Sequence, residues 1–201
     1  MAVDNFALIR PLLKFEEGNF YFMQVIQRKK DHKEENKRLG RNNNARLVKA
    51  YYVNSFEKYD EYKDEMIALA KLFNARVGIN LNPRNEEICA LEMLEQLASC
   101  IKSKNFHLAK LYNSVCGASL GTDKLWLVDL DTKEPDLIKE VIDFLVVIEP
   151  VGVDKLIAQI PTKNGVHLIT RAFNTKAFAE KCPEIEIHKN NPTIVYIPDT
   201  V

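Results

Sequence analysis

The chain has 201 residues, of which 46% are hydrophobic and 28% are charged, and its formal net charge is zero. This length supports one sizeable core, or two small subdomains that share an interface. A neutral total excludes a globally basic nucleic-acid-binding protein, so any nucleic-acid role needs a local basic surface.

Cysteine usage and hydropathy indicate the compartment. The four cysteines form no CxxC pair and no zinc spacing with histidine, which favours reduced, buried thiols. The N-terminus lacks the pattern of a secretory signal, and no apolar run approaches the ~20 residues of a membrane span. We therefore expect a soluble, cytoplasmic protein with no membrane partner.

The first half of the chain reads as an α/β unit. Alternating or β-branched residues predict strands over 19–27, 46–54 and 74–82. Apolar residues at helical spacing predict helices over 55–73, 85–104 and 106–115. Ser55 and Asn85 are the N-cap candidates of the two longer helices.

A basic segment, residues 28–46, separates the first two strands. It holds eight Lys and Arg residues against three acidic ones and has almost nothing apolar to bury. Two interpretations stay open: a solvated loop between strands, or an arm that contacts phosphates.

The second half predicts six elements in the order βαββαβ, the ferredoxin-like or RRM-like split unit. The strands are expected over 124–131, 154–162, 166–173 and within 185–198, and the helices over 136–149 and 175–182. Pro135 suits the first turn of the first helix, and Asn164-Gly165 is a strong hairpin signal. We therefore predict an α+β fold, with an N-terminal subdomain over 1–118 packed in one compact unit against a βαββαβ subdomain over 119–201.

The strand order brings polar residues together. The third strand of such a unit returns antiparallel beside the first, so that the end of the first strand faces the start of the third. Asp129 and Asp131 end the first strand, and His167 begins the third. Two carboxylates at i and i+2 share a face of the strand, where their repulsion raises a pKa or recruits a cation such as Mg²⁺. Taken singly, the two aspartates could equally be surface residues at a strand end.

These residues resemble the motifs of archaeo-eukaryotic primase-polymerases. The family carries an apolar strand ending in Asp-x-Asp or Asp-x-Glu, a Ser-x-His motif often within Ser-Gly-x-x-Gly-x-His, and an apolar residue followed by Asp or Glu. LWLVDLD (125–131) matches the first motif, and IPTKNGVHLIT (160–170) is similar to the second. Gly165 stands where Ser-x-His has its serine, and Thr162 stands near the earlier serine of the longer form.

The resemblance implies a replication or repair enzyme that binds a nucleoside triphosphate and a DNA or RNA template, of a size typical of phage or mobile-element modules. It implies that Asp129 and Asp131 bind Mg²⁺ or Mn²⁺, and that His167 contacts the phosphates of the nucleotide. Lys163, Thr162 and Gly165 belong to the turn beside those phosphates.

The third metal ligand has several candidates: the carboxylates of Glu184, Glu186 and Asp199, and the neighbouring imidazole of His188. The fourth strand runs antiparallel to the first, so its start and not its end lies beside Asp131. This favours Glu186 over Asp199 as the third metal ligand.

The first half offers supporting residues. Arg76 and Arg84 flank a predicted strand and are either phosphate ligands or ordinary surface arginines. Tyr51, Tyr52 and Trp126 could stack on bases, although packing roles suit them better. Two other functions remain open: a catalytically degenerate module that binds nucleic acid or a replication partner, and a metal-dependent phosphoesterase or nuclease.

Overall fold

The computed structural model describes residues 2–28, 45–119, 121 and 124–199. Within these ranges the fold is mixed α+β with two antiparallel sheets, which confirms the predicted class. The strands are β1 (Val3–Asp4), β2 (Asn19–Gln27), β3 (Arg46–Val53), β4 (Arg76–Ile79), β5 (Arg84–Asn85), β6 (Trp126–Leu130), β7 (Leu156–Pro161), β8 (Val166–Thr170), β9 (Glu186–His188) and β10 (Thr193–Ile197). The helices are α1 (Phe6–Ile9), α2 (Phe56–Leu72), α3 (Glu86–Lys102), α4 (Leu111–Ala118), α5 (Pro135–Val147) and α6 (Thr175–Lys181).

The first sheet has the strand order β1-β10-β4-β2-β3, and β5 also pairs with β2. Helix α2 covers it, burying Tyr59, Met66 and Ala70 in the main core. Ser55 caps α2, as predicted, by accepting a hydrogen bond from the backbone N–H of Lys58. Most of the basic segment between β2 and β3 lies outside the described residues.

The second sheet has the strand order β7-β8-β6-β9, and every neighbouring pair is antiparallel. Its elements follow the predicted sequence of strand, helix, strand, strand, helix, strand. Helices α5 and α6 pack on one face, where Val141, Leu145 and Phe178 form a second core. Alternation along β8 therefore turns Val166 and Leu168 toward these helices and His167 toward the other face.

The predicted final strand is two strands, and this corrects the interpretation of residues 185–198. β9 lies at the edge of the second sheet, whereas β10 crosses into the first sheet between β1 and β4. The turn residues of 189–191 and Pro192, which has no N–H to donate, interrupt the pairing. All five residues of β10 are buried, as expected for an interior strand.

The short helix predicted over 106–115 is displaced toward the C-terminus. Lys104, at φ 54°, follows the end of α3, and α4 begins only at Leu111. Gly117 lies in the last turn of α4.

The two sheets share one core. Leu127, Ile160 and Ile169 of the second sheet pack in the same apolar cluster as the strands of the first. The Asn82 side chain adds two hydrogen bonds across this junction, to the backbone C=O and N–H of Leu125, each 2.9 Å long. Over the described ranges, no helix has the length and apolarity that a membrane crossing requires.

Candidate functional site

A row of polar residues crosses three strands of the second sheet. The strand register pairs Asp129 of β6 with His167 of β8 on one side and with Glu186 of β9 on the other. Directly paired residues project from the same face of a sheet, so the three side chains lie side by side. His167 Nε2 is 3.4 Å from Asp129 Oδ1. The structure thus brings together Asp129, His167 and Glu186, the residues that the strand directions predict to be neighbours.

The other ring nitrogen of His167 also has a hydrogen-bond partner. Its Nδ1 is 3.0 Å from the hydroxyl oxygen of Thr193, the first residue of β10, and both side chains are buried. The imidazole is therefore held between a carboxylate of the second sheet and a hydroxyl of the first. No local sequence pattern indicates Thr193, because its role depends on β10 leaving the second sheet.

The pKa of Asp129 lies below the ordinary value for an aspartate. The hydrogen bond from the imidazole of His167 is the main cause, burial opposes it, and electrostatic interactions with His188 and Arg28 lower the pKa further. Asp129 is therefore an anion at neutral pH.

The other acidic residues are more open to solvent. Asp131 follows β6 and is exposed. Glu186 Oε2 is 3.2 Å from His188 Nε2, and 77% of the Glu186 side chain is exposed. Among the residues that the structure describes, no three His, Cys, Asp or Glu side chains are close enough to hold a metal ion together. The predicted ligands Asp129, Asp131 and Glu186 thus lie at one end of β6 and β9 without forming a closed three-ligand cage.

A cavity of about 760 Å³, here called the cleft, opens over this row. Its size falls within the range of small-molecule sites. Both sheets contribute to its lining: Asp129, Asp131, His167 and Glu186 from the second sheet and its loops, and Arg28 and Arg76 from the first. Lys163, Thr162, Glu184 and His188 also line it. Cationic and anionic side chains therefore face the same space, as recognition of a metal-bound phosphate requires.

The hairpin between β7 and β8 explains the departure from the serine motif. The N–H of Gly165 donates to the Thr162 hydroxyl at 3.0 Å, and the N–H of Thr162 donates to the Gly165 carbonyl at 2.9 Å. A Cβ on Gly165 would lie only 1.8 Å from the carbonyl oxygen of Leu130. Position 165 has no room for a serine side chain, and the Thr162 hydroxyl already serves the turn. Lys163 at the tip is exposed.

Arg84 does not reach the cleft. It is fully buried and donates to the carbonyls of Cys116 and Asn82, at 3.0 and 3.1 Å, and to the Asn190 side chain at 2.6 Å. The hypothesis of a phosphate-binding Arg84 is therefore replaced by a structural role. Burial lowers the pKa of its guanidinium.

Other candidates also lie away from the row. Asp199 follows β10 in the first sheet, apart from β6 and the cleft lining. Trp126 packs edge-to-face on Phe173, with ring centroids 5.4 Å apart, as its packing interpretation predicts. Tyr51 and Tyr52 likewise pack among aromatic neighbours of the first half.

Comparison of the chain with family models, with curated proteins and with solved structures finds no match.

Proposed function

We propose that this protein is a metal-dependent nucleotidyltransferase of the primase-polymerase kind, which acts on a nucleic-acid template in replication or repair. The main support is the row of His167, Asp129 and Glu186 on the floor of the cleft. Three further cationic residues, Arg28, Arg76 and Lys163, line the same cleft. Together these groups suit a triphosphate that carries a divalent cation.

The strand order supports the finer assignment of the fold. In a ferredoxin-like βαββαβ unit the third strand lies between the first and the second, and the fourth lies beside the first. The order β7-β8-β6-β9 agrees with that pattern. The proposal is further supported by Asp129 near the end of β6 and His167 near the start of β8.

The donor set fits a hard cation. Asp129 and Asp131 offer carboxylate oxygens, and Mg²⁺ commonly takes one or two carboxylates and keeps its other positions for water and substrate phosphates. Either Mg²⁺ or Mn²⁺ would neutralise phosphate charge and polarise a phosphoryl oxygen when bound. Glu186, which the strand register pairs with Asp129, is the proposed source of a third oxygen, for which its side chain would have to leave His188.

His167 is the proposed phosphate contact. Its Nδ1 is engaged by the Thr193 hydroxyl at 3.0 Å, which fixes the ring plane, and its Nε2, 3.4 Å from Asp129 Oδ1, is the nitrogen that would turn to a phosphate oxygen once Asp129 binds the cation. Arg28, Arg76 and Lys163 supply the opposite charge for the rest of the triphosphate.

A template-extension assay tests this function. Labelled nucleotide incorporation is measured on primed and unprimed templates with Mn²⁺ or Mg²⁺. Asp129→Asn should reduce incorporation to background, because it removes one of the two cation-binding carboxylates. The matched control is Asp143→Asn, an exposed carboxylate on α5 that pairs with Lys139 at 2.8 Å, and it should retain full activity.

The same assay separates the alternatives. Equal incorporation by the wild type and Asp129→Asn would contradict the proposal. Shortened strands would indicate a phosphoesterase or nuclease. Salt-sensitive binding of single strands without turnover or metal dependence would indicate a binding module.

A further inference from the structure

Helix α3 leaves a row of apolar side chains facing solvent. Its inner side is anchored by Cys89, which is buried against Phe20, Phe22 and Cys116. On its outer side, Leu91, Leu94 and Ile101 are 60%, 63% and 53% exposed. Large apolar side chains aligned on one exposed helix face are a feature of interfaces and are not expected of a solvated surface.

The spacing of this row is that of a helix–helix seam. Leu91, Leu94, Ala98 and Ile101 repeat at intervals of three, four and three residues, which is the a/d pattern of a two-stranded coiled coil. We call these four residues the α3 seam. The helix is 17 residues long, about 25 Å, enough for almost five turns of contact. Phe106, 68% exposed, extends the apolar surface beyond the end of the helix.

The charges at the ends of α3 indicate which occupant fits the seam. The first turn carries Glu86 and Glu87, the last turn carries Lys102, and Lys104 follows. All four residues are exposed. A second α3 lying antiparallel would set the acidic end of each helix against the basic end of the other and would also oppose their dipoles. A parallel partner would place like charges together.

We propose that two copies of this chain associate through the α3 seam in an antiparallel, two-fold arrangement. The same patch then contacts itself, which is the rule for a two-fold dimer. Leu91 of one copy faces Ile101 of the other, and Leu94 faces the small Ala98, which allows close approach of the helices. This association is independent of the proposed function, since the seam includes none of the residues that line the cleft.

Glu95 limits the affinity of this dimer. It is exposed and adjoins Leu94 near the two-fold axis, where it approaches the same residue of the other copy. One short seam is also smaller than the roughly 800 Å² per partner of a standard interface. We therefore expect a dimer with a dissociation constant on the order of micromolar.

Sedimentation equilibrium of the full chain over a concentration series tests the seam. Leu94→Ser should weaken dimerisation roughly tenfold or more, since each dimer loses two buried leucines. The matched control, Leu72→Ser, removes a 75% exposed leucine at the end of α2 and should leave dimerisation unchanged. Asp129→Asn should leave it unchanged as well. A chain that stays monomeric throughout, or equal dimerisation of Leu94→Ser and the wild type, would overturn the proposal.

Charge reversal tests the antiparallel orientation. The double variants Glu86→Lys with Glu87→Lys, and Lys102→Glu with Lys104→Glu, should each self-associate more weakly than the wild type. In a heterodimer of the wild type with either double variant, only one of the two pairs of facing helix ends carries opposite charges, so its affinity should stay below that of the wild-type dimer. In the quadruple variant both pairs of facing ends carry opposite charges again, and it should recover wild-type affinity. Glu95→Gln should tighten the dimer. Failure of the quadruple variant to recover, with its helix content unchanged by circular dichroism, would overturn the antiparallel arrangement.

Discussion

The tight packing of Gly165 against the end of β6 explains why this chain has no serine at that position of the Ser-x-His motif. The absent serine of the Ser-x-His motif could be read from the sequence, but its physical reason could not. The reason is the approach of the hairpin to the end of β6, where the Leu130 carbonyl occupies the space that a Cβ would need. A contact of this kind between distant segments has no local signature.

Gly165→Ser should therefore destabilise the protein and not improve its activity. Moving the Leu130 carbonyl away requires a backbone shift, which we expect to lower the free energy of unfolding by about 2 kcal/mol or more. Urea denaturation measures the loss. The control is Asn164→Ser in the same turn, exposed and expected to change stability by less than about 0.5 kcal/mol. A Gly165→Ser protein of wild-type stability and higher incorporation would show that the turn accommodates the family's serine.

Among the elements, those with strong local periodicity were predicted well. Helices α2, α3 and α5 follow apolar spacing. Ser55 caps α2, and Asn85 caps α3 by accepting a hydrogen bond from the N–H of Ile88 at 3.0 Å. The C-terminal strands were harder. Residues 185–198 read as one β-rich segment, and nothing in their composition indicates that two strands join different sheets.

Substitutions in β9 and β10 should consequently have different effects. Val195 of β10 is fully buried in the main core, whereas Ile187 of β9 is only partly buried at the edge of the second sheet. Val195→Ala should lower the free energy of unfolding by about 2 kcal/mol or more, because it leaves a cavity between strands. Ile187→Ala should cost less than half as much. Urea unfolding of both variants measures this, and equal losses would argue against an interior position for β10.

At the scale of the whole molecule, the cleft belongs to both sheets. The sequence identified the acidic row from the order of elements in one unit, since strand directions alone bring Asp129 to His167. It could not supply Arg28 and Thr193 as partners of that row, because their positions depend on how the first sheet packs against the second. The prediction that Arg84 binds phosphate was wrong for a related reason. An arginine beside a predicted strand is expected to be exposed, and only the packed structure reveals the buried acceptors that hold this one.

The shared core predicts that the molecule unfolds as one unit. Trp126 is the single tryptophan and lies in β6 of the second sheet. Its fluorescence and far-ultraviolet circular dichroism should therefore report the same urea transition. Val195→Ala, a change in a strand of the first sheet, should shift both signals to the same lower urea concentration. A shift in circular dichroism without one in fluorescence would reveal two independently unfolding parts.

The interior position of β10 also sets an order of events during synthesis. β2, β3 and β4 are made early and can pair locally, but the free edge of β4 stays without its neighbour until residues 193–197 emerge more than a hundred residues later. An unpaired strand edge is a site where nascent chains associate wrongly, and such distant pairing is slow. The strand that closes this edge is also the strand that carries Thr193. A nascent chain thus acquires an oriented His167 only when its first sheet is complete.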